Sequence, residues 1–212
     1  MNILIVASGS PPSSILLHSG IDHADLVLAV DGGFDAFQEH GLKPDTVLGD
    51  MDSIGKGITS DIGRVHLPDQ EYTDLEKTLQ YVLNKHTVRS IVLLGAGGQR
   101  TDHLLHNLEI CGSIDPGIKI TIKNELSHPS EYTAEFIQRI TPQSPFDLRV
   151  RKDDTLSILP LGNFRGLSSN GLLWEIMKAN RSENFMSQSN IALKDDPQFS
   201  IEEDYAYIAV YQ

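Results

Sequence analysis

One cysteine, Cys111, stands in a chain of 212 residues, so no disulfide forms within it and a reducing compartment is expected. Basic side chains are scarce as well. Lys and Arg number 17 against 29 Asp and Glu, a formal net charge of -12. So acidic a surface argues against nonspecific attachment to nucleic acid or membrane, which needs a basic face. It still admits a small anionic substrate, because a local Arg/Lys cluster or a divalent metal reverses the field in one cleft. No apolar run approaches membrane-spanning length. There is no low-complexity tract and no internal repeat. Met1 leads directly into "NILIVASG", without a basic n-region or cleavage-like site, so this stretch reads as a strand rather than a signal peptide. A cytoplasmic location is expected.

What is present is enough apolar material (40%) for one large core or two modest ones. "NILIVAS" (Asn2–Ser8) and "DLVLAVDGG" (Asp25–Gly33) are continuous β-branched runs, as in strands covered on both faces. "DTVLGD", "RVHLP", "SIVLLGAGG" and "IKITIK" read as further strands. Helices are expected in "SSILLHSG", in "FDAFQEHG" with Phe34 and Phe37 on one face, and in "TDLEKTLQYVLNKH" with Leu75, Leu79 and Val82 at helical spacing. "TDHLLHNLEICGSI" should place Leu104, Leu105 and Leu108 on its apolar side. Such alternation predicts an α/β domain, a mostly parallel sheet sandwiched by helices, over residues 1–125. A turn-rich linker is expected over 126–145. Residues 146–212 carry strand-like pieces, "FDLRVRK", "TLSILPLG", "NIALKD" and "YAYIAVYQ". They predict a mainly antiparallel, β-rich second domain, with period-two alternation marking strands of unlike faces.

Open parallel sheets bind ligands beyond the carboxyl ends of their strands. Asp31, Asp50, Asp52, Asp74 and Asp102 fall at those ends or at the first turn of the following helix. Five carboxylates in one crevice repel one another unless a cation sits between them. Hard oxygen donors suit Mg²⁺, which joins a few carboxylates to substrate phosphates. Gly32, Gly33, Gly49, Gly97 and Gly98 would let backbone approach a bulky ligand. Arg100, Lys77 and Arg64 are available cations for phosphate oxygens. Plainer readings stand beside these. Asp31, Asp50 and Asp52 are also turn formers, and "TDLE" is a capping box with Thr73 as N-cap and Glu76 returning the bond. His103 and His106 fit helix-surface or core histidines better than metal ligands. Cys111 reads as a small buried apolar residue. From the residues alone, the chain is a phosphate-handling α/β enzyme with a divalent metal.

The blocks "DGG…PDTVLGDMDSI…YTDLEKTL…LLGAGGQRTDHLLHNL" resemble, in order and spacing, the thiamine pyrophosphokinase family. Gln99 stands where that family usually has a second glycine. "GLSSNGLLWEI" and "SQSN" are similar to its C-terminal motifs, with Leu173 in place of a common lysine and Ile191 in place of the usual glutamate. The resemblance implies transfer of a diphosphoryl group from ATP to the hydroxyethyl oxygen of thiamine, releasing AMP. It implies an α/β catalytic, ATP-binding domain, a β-sandwich-like thiamine-binding domain, and a homodimer with active sites at the interface. Asp50, Asp52 and Asp74 become the Mg²⁺ ligands, and Asp31, Gly32, Gly33, Lys77, Arg100 and Asn107 the ATP contacts. Trp174, Ser187, Ser189 and Asn190 fall on the thiamine side. Asp74 or Asp102 would accept the alcohol proton, and the sequence does not separate them. A diphosphokinase acting on a pterin-like hydroxymethyl heterocycle, or a non-catalytic nucleotide- or thiamine-sensing module, stand as alternatives.

Overall fold

The computed structural model describes residues 1–50, 58–98, 100–126 and 133–212. It divides into two compact units, Met1–Asn107 and Leu108–Gln212.

The first unit contains β1 (Asn2–Val6), α1 (Ser14–Asp22), β2 (Leu26–Val30), α2 (Phe34–Glu39), β3 (Thr46–Gly49), β4 (Gly63–His66), α3 (Asp74–Lys85) and β5 (Ser90–Leu94). The fourth helix, α4 (Thr101–Gly112), begins here and crosses the division. The strands run in the order β5-β1-β2-β3-β4 and every pair is parallel. Parallel pairing of neighbours requires a crossover between them. The apolar runs of β1 and β2 are buried after their first residue, as helices on the sheet demand. Phe34 and Phe37 of α2 pack with Leu4, Val6, Ala29 and Val47 in one core. Leu75, Leu79 and Val82 bury one stripe of α3. That helix starts at a complete capping box: Thr73 Oγ1 accepts from Glu76 N, and Glu76 Oε2 accepts from Thr73 N at 2.8 Å. Leu108 of α4 is buried, but Leu105 is 50% exposed, so the apolar side of α4 is narrower than its leucines suggest. No helix among the described residues is long and apolar enough to cross a membrane.

In the second unit β6 (Lys119–Glu125), β7 (Ala134–Ile140), β8 (Thr155–Leu159), β10 (Ser187–Ile191) and β12 (Ala206–Tyr211) form a sheet in the order β10-β8-β12-β7-β6. All four pairings are antiparallel. The short strands β9 (Ser168–Asn170) and β11 (Gln198–Ser200) pair separately, also antiparallel. Ile140, Leu156, Ile158, Ile208 and Val210 from the larger sheet share a core with Phe164, Leu167, Leu172 and Ile176. This is the sandwich-like packing expected of the C-terminal half.

Three expectations change. Residues 126–145, read as a linker, contain β7, held between β6 and β12. "FDLRVRK" is not a strand. Its backbone N–H groups are taken by side chains instead: Asp147 and Leu148 donate to Gln138 Oε1, Val150 to Asp196 Oδ1 and Lys152 to Asp195 Oδ1. The alternation in "YAYIAVY" does not mark an exposed face, since Ala206–Val210 are all buried.

Arg139 of β7 is the largest fully buried side chain. Among the described residues no carboxylate forms an ion pair with it, though the charge of Asp115 acts on it. Its Nη1 donates to the carbonyls of Cys111, Gly112 and Ile114, and its Nη2 to those of Asp115 and Ile118, at 2.6–3.3 Å. Only Nε is left without a partner. The carbonyls at the end of a helix have no intrahelical donor and carry partial negative charge, and the guanidinium supplies both needs for α4. Tyr207 adds a bond from its hydroxyl to Leu108 O at 2.6 Å.

Candidate functional site

The loops after β1 and β5 run side by side at the carboxyl edge of the parallel sheet. Ala7 N donates to Leu94 O, Gly9 N to Gly95 O and Ser10 N to Gly97 O, at 2.7–2.9 Å. A Cβ on Gly9 would lie 2.3 Å from Gly95 O, and Gly95 has φ +64°. Only glycines allow this backbone-to-backbone contact. The two loops floor a cleft of ≈ 630 Å³. Its walls include Thr73 and Asp74 at the start of α3, and Arg100, Asp102, His103, His106 and Asn107 at the start of α4. On α4 the spacing of 102, 103, 106 and 107 puts these four on one face.

Asn107 Nδ2 donates to Ala96 O at 2.8 Å and ties α4 to the glycine loop. Arg100 grips Asp102 with two bonds, Nε to Oδ1 at 3.1 Å and Nη2 to Oδ2 at 2.5 Å. Both side chains are about two-thirds exposed (65% and 64%). The Arg100 hydrogen bonds hold the Asp102 carboxyl at about 2, well below the usual aspartate value. Asp102 is therefore a weak proton acceptor.

Asp74 Oδ1 lies 2.7 Å from Lys77 Nζ. The contact is one of charge, because no hydrogen bond is aligned on that buried oxygen. Lys77 itself is 7% exposed and also donates to Leu67 O and Asp69 O. Two N–H groups of the ammonium go to carbonyls, and its charge faces Asp74. Lys77 is thus a strut between α3 and the chain before it, and is absent from the cleft wall where a phosphate contact was expected. Arg64, on β4, donates to Ile58 O at 2.6 Å.

Asp31, Gly32 and Gly33 form a 3₁₀ turn after β2, with Asp31 at φ +45°, a conformation Asp tolerates better than most residues. Gly49, the last residue of β3, packs on it: a Cβ there would lie 3.4 Å from Asp31 Cβ. Asp31 and Asp50 therefore close two adjacent strands, β2 and β3, but neither lines the cleft. Asp52 lies outside the described residues. Among the described residues no three His, Cys, Asp or Glu side chains gather as a metal site. A Mg²⁺ site needs less than that, because the ion keeps waters and substrate phosphates beside one or two carboxylates. The oxygen donors of the β2 and β3 ends fit that requirement.

Each C-terminal candidate has a definite place in the second unit. Trp174 is 60% exposed, and Leu173, Met177, Met186 and Leu193 are exposed too. Asn190 is buried. Its Nδ2 donates to Trp174 O at 2.7 Å, and its Oδ1 accepts from Trp174 N and Ile191 N. Asn190 thus clamps the backbone that presents Trp174, rather than facing a ligand. Ser187 and Asn190 flank a register shift between β10 and β8, and Ser189 lies within it. Ser189 there has φ +52° and donates its N–H to Ser157 Oγ.

Sequence reasoning missed Ser8, Gly9 and Thr73 as cleft residues and set His103 and His106 aside. The signal for Ser8 and Gly9 was available. The rule that ligands sit beyond strand carboxyl ends applies to β1 as much as to β2 and β3.

The profile described as "Thiamin pyrophosphokinase, catalytic domain" matches residues 17–122. Thiamin pyrophosphokinase 1 of Caenorhabditis elegans is 45% identical over 71 residues, which is 31% of this chain and 29% of that protein. Thiamine pyrophosphokinase of Bacillus subtilis is 28% identical over 148 residues, 64% of this chain and 69% of that one. The crystal structure of a thiamine pyrophosphokinase from Bacillus subtilis shares the fold, with a TM-score of 0.75 at 21% identity, covering 100% of this chain and 99% of that one. The matched span takes in 106 of the 212 residues, the whole of α2, α3 and α4 among them, and the chain belongs to the thiamin pyrophosphokinase catalytic-domain family.

Proposed function

We propose that the chain transfers a diphosphoryl group from ATP to thiamine, giving thiamine diphosphate and AMP. The observation that carries this reading is the cleft in which Asp74, Asp102 and Arg100 stand over a floor of bare backbone from Gly9 and Gly95–Gly97. An arginine suits phosphate oxygens, and the glycines keep side chains out of the way. Asp50 and Asp52 would hold Mg²⁺, whose charge would offset the negative charge that builds as the α–β bridge breaks.

In the transfer, the hydroxyethyl oxygen of thiamine forms a bond to the β-phosphorus, the bond from that phosphorus to the α–β bridging oxygen breaks, and AMP leaves. The alcohol proton needs an acceptor late in the step. Asp102 is a poor one while Arg100 holds its carboxyl near 2. Asp74, at the start of α3, takes that role. Arg100 orients a phosphate, and Asp102 sets the plane of its guanidinium. Thiamine carries a cationic thiazolium, and the exposed face of Trp174 offers it stacking or a cation–π contact. The exposed Leu173, Trp174 and Leu193, on segments paired through Leu172 and Ala192, also suit a homodimer with active sites at the interface. A cytoplasmic location accords with one buried, unpaired thiol.

Purified protein with ATP, Mg²⁺ and thiamine should form AMP and thiamine diphosphate in equal amounts. No product with thiamine, but turnover of a hydroxymethylpterin, would move the chain to a related diphosphokinase. Nucleotide binding without turnover of either would make it a sensing module.

A further inference from the structure

Glu76 does more than cap a helix. Its Oε2 accepts two hydrogen bonds, from Thr73 N at 2.8 Å and Thr73 Oγ1 at 3.0 Å, and lies 3.2 Å from His106 Nε2 of the neighbouring helix. Burial works against the charge on Glu76, but the Thr73 and His106 bonds outweigh it and keep its carboxyl below the usual glutamate value. The capping box needs only the Thr73 half of this arrangement, and glutamine would serve it as well. The His106 contact is additional, and it joins the two helices that wall the cleft.

The next residue repeats the device on the other side, since Asn107 binds Ala96 O in the glycine loop. Two consecutive residues of α4 thus fasten that helix to α3 and to the cleft floor. Asp102 stands four residues before His106, on the same face of α4. A shift of α4 at His106 therefore displaces the Arg100–Asp102 pair as well. We infer that the Glu76–His106 contact sets the separation of the α3 and α4 walls and with it the nucleotide affinity of the cleft, so that Glu76 is a positioning residue. The inference rests on reading this cleft as the nucleotide site.

The test uses the full chain and three variants: Glu76→Gln, which keeps the cap and removes the charge, His106→Gln, and the double variant. Affinity for a non-hydrolysable ATP analogue with Mg²⁺ is measured by calorimetric titration, beside turnover and thermal melting. Each single variant should weaken nucleotide binding roughly three- to ten-fold, and the double variant no further, as residues in one contact are non-additive. For Glu76→Gln, kcat should stay within about two-fold and Tm within about 2 °C of wild type. Unchanged affinity in either single variant, or additive losses in the double, overturns the inference. Glu76→Ala, which also loses the cap, should melt lower. If it melts lower while Glu76→Gln binds like wild type, Glu76 is a cap and nothing more. Absence of nucleotide binding by wild type sinks the nucleotide reading and the inference with it. Wild-type binding with unaffected variants sinks the inference alone.

Discussion

Two arginines separate the two halves of the molecule. Arg100, in the first unit, is 65% exposed and bound to one carboxylate. Arg139, in the second, is fully buried and bound to five carbonyls. The first has an ionic partner it can exchange for a phosphate, since carboxylate and phosphate offer the same paired oxygens. The second has partners fixed by the chain's own path and nothing to exchange. Asp74 and Asn190 repeat the contrast: one lines the cleft, and the other is buried and engaged with backbone. Arg100 and Asp74 face a space, whereas Arg139 and Asn190 hold backbone.

Arg139→Met offers the sharpest break in this comparison. It removes the guanidinium from five carbonyls, of which those of Cys111 and Asp115 keep a backbone N–H donor, and should cost at least about 3 kcal/mol. For a chain of this size that is a fall in Tm of roughly 6–12 °C, read by calorimetry. Arg139→Lys keeps the charge but not the fork, and should fall between. If Arg139→Met melts with wild type, the carbonyl cage is incidental.

Asp50→Asn and Asp52→Asn attack the first unit instead. Each should keep the fold, because asparagine is as good a turn former. Each should lower turnover at least about 100-fold, about 2.7 kcal/mol of transition-state stabilisation. Steady-state rates at limiting and saturating Mg²⁺ check this, with melting as the control. Near-parental rates in both would reduce the pair to turn formers.

Trp174→Ala tests whether anything in the second unit faces a substrate. The side chain is 60% exposed, so stability should hardly change. The dependence on thiamine should weaken by roughly 1–3 kcal/mol, and that on ATP should not. Equal loss in both, or a lowered Tm, would make Trp174 a packing residue.

Arg100→Gln has the smallest expected effect on stability, as for exposed ion pairs generally. Its signature is elsewhere. Without the guanidinium, the Asp102 carboxyl should titrate near the ordinary ~3.9 rather than about 2, followed by NMR. No movement would mean that the pair does not persist in solution.

The first unit was legible because β1, β2 and β5 are nearly uninterrupted apolar runs and α1 and α3 begin with the capping residues Ser13 and Thr73. β7 was hidden for a physical reason. "AEFIQRI" carries Gln138 and Arg139, both buried, which interrupt the apolar pattern. Their polar atoms are satisfied inside the fold, by Pro145 O, Asp147 N and Leu148 N for one and by the end of α4 for the other. "FDLRVRK" misled in the opposite sense, since it alternates like a strand while its N–H groups bind side chains. At the site, Asp74, Asp102 and Arg100 were placed by the strand-end rule, and Asn107 by the family resemblance. The same rule could not tell that Lys77 and Asn190 point their polar atoms at backbone, because a motif position gives the residue type and not the direction of its side chain.

Lys77 has a consequence for chemical accessibility. Its ammonium is buried and held by Asp74 and two carbonyls, so an amine-directed reagent cannot reach it in the closed molecule. Labelling must wait until α3 parts from the chain at Leu67–Asp69. Exposed lysines such as Lys43 and Lys178 react at the rate of the reagent, whereas Lys77 reacts at the rate of that opening. A single amine in the first unit thus times the local breathing of the segment that carries Asp74.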